Sequence, residues 1–326
     1  MQGLVLKSTG KWYQVLLEDE QIVQASIRGK LRLEGLKTTN PIAAGDRVNI
    51  EPGSDESWAI LSVEPRQNYI VRKATNLSKQ MQILAANVDR AYLVVTLKSP
   101  VTQIAFIDRF LVAAESFRIP TTLLFNKIGF DLFDLISVLF NKIDLFDADD
   151  TEYFEALKVI YENLGYPCIG ISAERPETVA FLRDEIKGKQ VMISGNSGVG
   201  KTTLVNALDA SLDLRTGEIS RAHEQGKHTT TFAEMHALQT GGYIIDTPGI
   251  RAFGLVDLEK EHYAHYFPEM RALLGECRFN NCKHLNEPHC AVKAAVDSQD
   301  IAPHRYQTYL QLMQEDASDP YRRSEF

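Results

Sequence analysis

The sequence predicts three consecutive folding units: a small all-β barrel over residues 1–70, an α/β domain over 71–256 and a metal-binding, helical module over 257–326. Short alternating strands broken by Gly, Pro and Asp-rich turns fill the first unit. From Asn87 apolar strand runs alternate with helical segments around a glycine-rich loop. Beyond Gly254 strand signals give way to a Cys/His cluster followed by helices. Bulk composition agrees: 326 residues, 44% hydrophobic and 24% charged, suffice for two or three globular domains. The N-terminal MQGLVLKSTGKWYQVLL lacks the basic start and apolar core of a signal peptide, and no apolar run reaches the ~18 residues of a membrane span. A cytoplasmic protein without a membrane role is expected. The formal charge of −8 argues against bulk electrostatic coating of nucleic acid, so any RNA contact must be local.

In the first unit LVLKSTGKWYQVLLE, QIVQASIRGKLR, GDRVNIEP and WAILSVEP read as the barrel strands. Arg28, Lys30, Arg32 and Lys37 crowd SIRGKLRLEGLK beside a single acid. By sequence alone that stripe is equally a solvated turn or a face for nucleic acid. In the second unit AYLVVTL, TTLLF, CIGISA and VMIS are strands. FIDRFLVAAESF and DTEYFEALKVIYENLGY are helices, the latter ended by Gly165.

Gly195-Asn196-Ser197-Gly198-Val199-Gly200-Lys201-Thr202 satisfies GxxxxGK[ST], follows the strand QVMIS and precedes the helix TLVNALD, the context that motif requires. Its glycines let backbone N–H groups turn around phosphates at a helix N-terminus. Lys201 is placed to reach the β- and γ-phosphates and Thr202 to ligate Mg²⁺. Thr203 is a secondary phosphate contact or a plain first-turn residue.

A phosphate loop does not choose the base. Asn141-Lys142-Ile143-Asp144, after the apolar run LISVLF, supplies a carboxylate that accepts from guanine N1–H and N2–H₂, donors that adenine lacks. Ile171-Ser172-Ala173 ends a strand and suits the short loop whose backbone supports guanine O6. Asp246-Thr247-Pro248-Gly249 follows YIID, so that Asp246 holds Mg²⁺ through water and the Gly249 N–H faces the γ-phosphate. Within Gly226-Lys227-His228-Thr229-Thr230-Thr231 we select Thr230 as the second Mg²⁺ ligand; a polar edge of the strand TFAEMHAL is the alternative. After DTPG stands Ile250, which has no polar atom to orient an attacking water. His228 takes that catalytic role, its alternative being a surface or loop-capping histidine.

Cys277, Cys282, His284 and Cys290 lie within fourteen residues and offer three thiolates and one imidazole, a closed tetrahedral set for one structural zinc ion. His289 is the competing imidazole. Arg278, Lys283 and Lys293 around the cluster are phosphate contacts or solvated charges.

The guanine motifs at 141 and 172 precede the phosphate loop at 195, the reverse of an ordinary G domain, so the α/β domain is a circularly permuted G domain. The segment RPETVAFLRDEIKGK would join the old ends, and the second switch would run into the C-terminal module. In GNSGVGKT, GKHTTT, DTPGIRAFGL, NKID and C-x4-C-x-H-x5-C, in that particular arrangement, the chain resembles the small-ribosomal-subunit-dependent GTPases of the RsgA (YjeQ) family over almost its whole length. The resemblance implies an OB barrel, a permuted G domain and a zinc module. It further implies a ribosome-activated GTPase that binds GTP and GDP, contacts the small subunit and its rRNA, and assists late maturation, here as a monomer. A nucleotide-gated RNA-binding module with little hydrolysis, or a permuted GTPase with another RNA partner, are the rival readings.

One departure stands out. The chain has two Asn-Lys segments fifteen residues apart, LLFNKIG at 123–129 and VLFNKID at 138–144, and Gly129 replaces the aspartate of the first. If LISVLF takes the strand, Asn141, Lys142 and Asp144 read the base and the extra residues bulge elsewhere; if TTLLF keeps it, Asn126 and Lys127 occupy the usual places and base recognition is compromised. The complete copy is favoured because it alone supplies the carboxylate.

Overall fold

A computed structural model describes residues 1–28, 41–53, 57–73, 81–126, 148–212, 233–246 and 259–315. Strands β1 (Gln2–Ser8), β2 (Tyr13–Leu17), β3 (Ile22–Ile27), β4 (Arg47–Pro52) and β5 (Trp58–Val63) close the N-terminal barrel. β1 pairs antiparallel with β2 and β4, β2 with β3 and β4 with β5, while β3 runs parallel to β5. Period-two alternation puts Tyr13, Val15 and Leu17 of β2 inside with Val5, Ala25, Val48, Ile50 and Ile60. At the barrel's base, buried Asp46 accepts two 2.7 Å bonds from Arg66 and one of 2.8 Å from the Ala43 N–H, so the desolvated carboxylate is satisfied. A two-stranded ribbon, β6 (Tyr69–Lys73) with β7 (Met81–Ala86), then leads onward. The sequence patterns carry no signal for it.

The α/β domain comprises β8 (Arg90–Val95), α1 (Ile104–Ser116), β9 (Thr121–Asn126), α2 (Ala148–Asn163), β10 (Cys168–Ile171), α3 (Pro176–Ile186), β11 (Gln190–Gly195), α4 (Lys201–Leu208), β12 (Glu234–Ala237) and β13 (Tyr243–Asp246). Spatial order is β10-β9-β8-β11-β13-β12, parallel except for the β12–β13 pair. The joining segment expected over 175–189 is itself a helix: α3 buries Val179, Leu182 and Ile186 against Leu204, Val205 and Leu208 of α4. β1 of the barrel also pairs with β12 at Lys7↔Glu234, where the side chains form a 2.6 Å ion pair. Barrel and α/β domain thus share one eleven-stranded sheet.

The strand between β8 and β10 corrects a sequence expectation. Thr121–Asn126 fills it, not LISVLF, with all six residues buried and Phe125 opposite Val95, Asn126 opposite Ile171. The physical reason is the short connection from α1: buried Ile119 and the bond from Ala91 N–H to the Pro120 carbonyl (2.8 Å) deliver the chain directly into this position. LISVLF and the NKID that follows lie outside the described residues.

The C-terminal module begins with a 3₁₀ helix (Lys260–Tyr266) and continues through α5 (Pro268–Arg271), α6 (Ala291–Asp297) and α7 (Pro303–Gln314). Its apolar core, Tyr263, Phe267, Met270, Val292, Tyr309 and Leu312, takes in Val112 and Ala113 of α1. A buried polar node crosses the same boundary. Arg305 of α7, with no exposed surface, donates to Glu269 (2.7 and 3.2 Å) and to Asp108 of α1 (3.0 Å). Asp108 also accepts from Tyr161 of α2 (2.9 Å) and Thr308 (3.0 Å). Burial opposes the guanidinium's charge, but the two carboxylates outweigh it and raise the Arg305 pKa, keeping the side chain a cation. Among the described residues no helix is long and apolar enough to cross a membrane.

Candidate nucleotide-binding site and metal centre

The parallel strands bring their C-terminal ends to one edge, the place where open α/β sheets bind ligands. The glycine-rich loop leaves β11 there. Gly195, Gly198 and Gly200 all have positive φ (146°, 82° and 93°), a region costly for residues with a Cβ. Space is as tight as the torsions: a Cβ on Gly195 would stand 2.5 Å from the Val94 carbonyl, and one on Gly200 2.6 Å from Asn126 Nδ2. Val199 is fully buried between them. Lys201 opens α4 and folds back over the loop, its Nζ donating to the carbonyls of Gly195 (2.8 Å) and Asn196 (2.6 Å). Thr202, in the same first turn, is buried. Among the described residues no side chain caps the start of α4. First-turn N–H groups without intrahelical acceptors, preceded by a glycine-rich turn, are what an anion site requires.

Neighbouring strand ends complete the edge. Asn126 ends β9 and donates from Nδ2 to the Val199 carbonyl at 2.7 Å. One strand further out, Ser172 and Ala173 follow β10. Thr178 of α3 holds that turn, accepting from the Ser172 N–H (3.2 Å) and donating to its carbonyl (2.8 Å). On the other side β13 ends at Asp246. Loop, Ser172-Ala173 and Asp246 therefore lie along one edge of the sheet: the loop follows β11, Asp246 ends the neighbouring β13, and Ser172-Ala173 follow β10, beyond β8 and β9. Asn141, Lys142, Asp144, His228, Thr230 and Gly249 lie outside the described residues, as does Ile250. Sequence reasoning missed Thr178 and placed its weight on Asn141 over Asn126. For Asn126 the signal was present, an Asn-Lys pair directly after an apolar strand; for Thr178 there was none.

The second site lies in the C-terminal module. Donor atoms of Cys277, Cys282, His284 and Cys290 all fall within 4.8 Å of one another. Cys277 and Cys290 sulfurs are 3.9 Å apart, and His284 Nδ1 is 3.5 and 3.4 Å from them. Bonds of ~2.3 Å to sulfur at tetrahedral angles give edges of about 3.8 Å, so the four groups fit a single tetrahedral cation. Burial, with the Cys277 and Cys290 thiols adding to it, pushes the Cys282 thiol up to about 12. A bound cation supplies the charge that turns such a cluster into thiolates. The knuckle is clamped from α7: Tyr306 and Tyr309 donate to the His284 and Lys283 carbonyls, both at 2.7 Å. Lys283 is also paired with Glu261 (3.1 Å), and Arg278 lies over the exposed Phe279 ring.

The chain matches the RsgA GTPase family model over residues 63–135 and 132–256, and the RsgA N-terminal domain model over 2–60. The two GTPase pieces meet at 132–135, inside the stretch between the Asn-Lys copies. Among curated relatives, the small ribosomal subunit biogenesis GTPase RsgA of Bacteroides fragilis is 46% identical over 322 residues, covering 99% of both chains. The protein of that name from Christiangramia forsetii is 46% identical over 325 residues, covering 99% of this chain and 98% of the relative. Among solved structures, YjeQ from Thermotoga maritima superposes with a TM-score of 0.73 at 34% identity and 96% coverage of each chain. YloQ, described as a circularly permuted GTPase, superposes with a TM-score of 0.69 at 27% identity, covering 96% of this chain and 93% of its own.

Proposed function

The chain belongs to the RsgA GTPase family, and from that premise we propose that it hydrolyses Mg²⁺-bound GTP while docked on the small ribosomal subunit, assisting a late step of that particle's maturation. The observation that carries this reading is the phosphate cradle, Gly195–Thr202, on a sheet edge shared with Ser172-Ala173 and Asp246. The family and the names of its relatives support the partner.

In this reading Lys201 neutralises the β- and γ-phosphates, with loop amides from Gly195 to Thr202 around them and Thr203 beside them. Thr202, Thr230 and Asp246 are the residues that would hold magnesium, which would offset charge on the phosphate oxygens. The Gly249 N–H stabilises the γ-phosphate as it departs. Although TTLLF and not LISVLF holds the strand, we keep guanine selection on Asp144, with Asn141 and Lys142, because the first Asn-Lys copy carries Gly129 where a carboxylate is needed; the Ser172-Ala173 backbone is assigned to O6. His228 orients the attacking water, because Ile250 has no group to do so. Zinc is the metal we assign to Cys277, Cys282, His284 and Cys290, in a purely structural role since four protein donors leave no open position. Arg28 on the barrel, with Lys30, Arg32 and Lys37, which lie outside the described residues, and Arg278, Lys283 and Lys293 around the knuckle are the local cationic points we assign to rRNA. Arg28 also pairs with Glu51. The protein works as a cytoplasmic monomer, alternating between GTP and GDP.

Sedimentation with purified small subunits tests the docking step. The chain should pellet with them in the presence of a non-hydrolysable GTP analogue and be released with GDP; equal recovery in the supernatant under both conditions would refute it.

A further inference from the structure

We propose that Thr178 of α3 is a positioning residue for base selection: its hydroxyl holds the Ser172-Ala173 turn so that the turn offers a single main-chain donor, the Ala173 N–H, to guanine O6. The inference rests on the reading above that assigns this backbone to O6. Only Ser172 to Arg175 separate the end of β10 from Pro176, which opens α3. Proline at the first helical position presets the helix start, and Thr178 follows in the same first turn.

A hydroxyl both donates and accepts, and this one does both on the turn. Thr178 Oγ1 accepts from the Ser172 N–H (3.2 Å) and shares its proton between the carbonyls of Ser172 (2.8 Å) and Arg175 (3.0 Å). The Glu174 N–H is taken by Ser172 Oγ (3.3 Å) and the Arg175 N–H by the Ser172 carbonyl (3.1 Å). Between Ser172 and Arg175, only the Ala173 N–H has no partner among the described residues. The Ala173 side chain packs against the apolar cluster that contains Val179, Leu182 and Val199 of the phosphate loop, so the turn is fixed relative to that loop. Without the Thr178 hydroxyl the Ser172 N–H loses its acceptor, and the turn loses what sets the direction of its one free donor. The Thr178 bonds end within the turn, so the damage should stay with the base and spare the phosphates.

The test compares the full-length, metal-replete wild type with Thr178→Val, Thr178→Ala and Thr178→Ser. Valine matches threonine in shape but lacks the hydroxyl, serine keeps it, and melting curves without nucleotide check that each variant is folded. Fluorescent GDP is titrated directly; GDP, 6-thio-GDP and inorganic tripolyphosphate are measured by competition. In 6-thio-GDP both guanine donors remain and sulfur, a weaker acceptor, replaces O6. Thr178→Val and Thr178→Ala should weaken GDP about tenfold and 6-thio-GDP about threefold or less, and leave tripolyphosphate unchanged. Thr178→Ser should bind all three as the wild type does. Wild-type GDP affinity in Thr178→Val would overturn the proposal, as would equal losses for GDP and 6-thio-GDP or a loss that extends to tripolyphosphate. A wild-type chain that binds neither GDP nor tripolyphosphate would instead remove the nucleotide-site reading itself.

Discussion

Lys201 shows how much of the site is already set by single residues. Its ammonium rests on the carbonyls of Gly195 and Asn196, a geometry available only because three glycines give the loop its positive-φ turns. These positions were legible in the sequence because the physics is local: the glycine spacing, the lysine and the strand before them are contiguous. Asn126 was legible only as one of two candidates, since choosing between the Asn-Lys copies depends on register with β8 and β10, contacts that neither copy encodes by itself. Lys201→Ala should reduce affinity for fluorescent GDP by at least about tenfold, the loss of one charge-assisted contact; equilibrium titration reads it. His228→Ala should lower GTP turnover by about a hundredfold or more while leaving that affinity within about twofold. Normal turnover would remove His228 from the mechanism.

Elements are tied together by contacts between residues far apart in the chain. Asp108 and Arg305 are 197 positions apart and Lys7 and Glu234 are 227 apart, so nothing in local pattern reveals either pair. The alternation of β2, the amphipathic face of α1 and the Cys/His spacing were all readable. The β6–β7 ribbon, the helical nature of α3 and the fusion of the barrel sheet to β12 were not. The consequence for the C-terminal module is specific: its core includes Val112 and Ala113 of α1, and its buried arginine neutralises an α1 carboxylate. Module and G domain should therefore unfold together. Arg305→Ala strands the buried charges of Asp108 and Glu269 and should cost about 3–5 kcal/mol, read from the urea midpoint. Chelation of the metal should lower the melting temperature of the G domain as well as of the module, without splitting the transition; two separate transitions would show that the shared core does not couple them.

For the whole molecule, permutation and the shared sheet have a joint effect. The barrel attaches through β1 to β12, the strand after the GKHTTT segment, and the chain runs from β13 through DTPG into the zinc module. Each flanking unit is thereby connected to one of the two segments expected to sense the γ-phosphate. A partner that grips both barrel and module would bear on both segments at once, which gives a physical route by which a ribosomal surface would accelerate a hydrolysis that Ile250, with no polar atom, cannot assist. The measurement that addresses this most directly is steady-state phosphate release from GTP and from ATP, with and without purified small ribosomal subunits. Release from GTP should rise by at least about tenfold on adding subunits, equivalent to lowering the barrier by about 1.4 kcal/mol, and release from ATP should stay at background. Equal rates with and without subunits, or equal rates for the two nucleotides, would contradict a ribosome-stimulated, guanine-specific hydrolase.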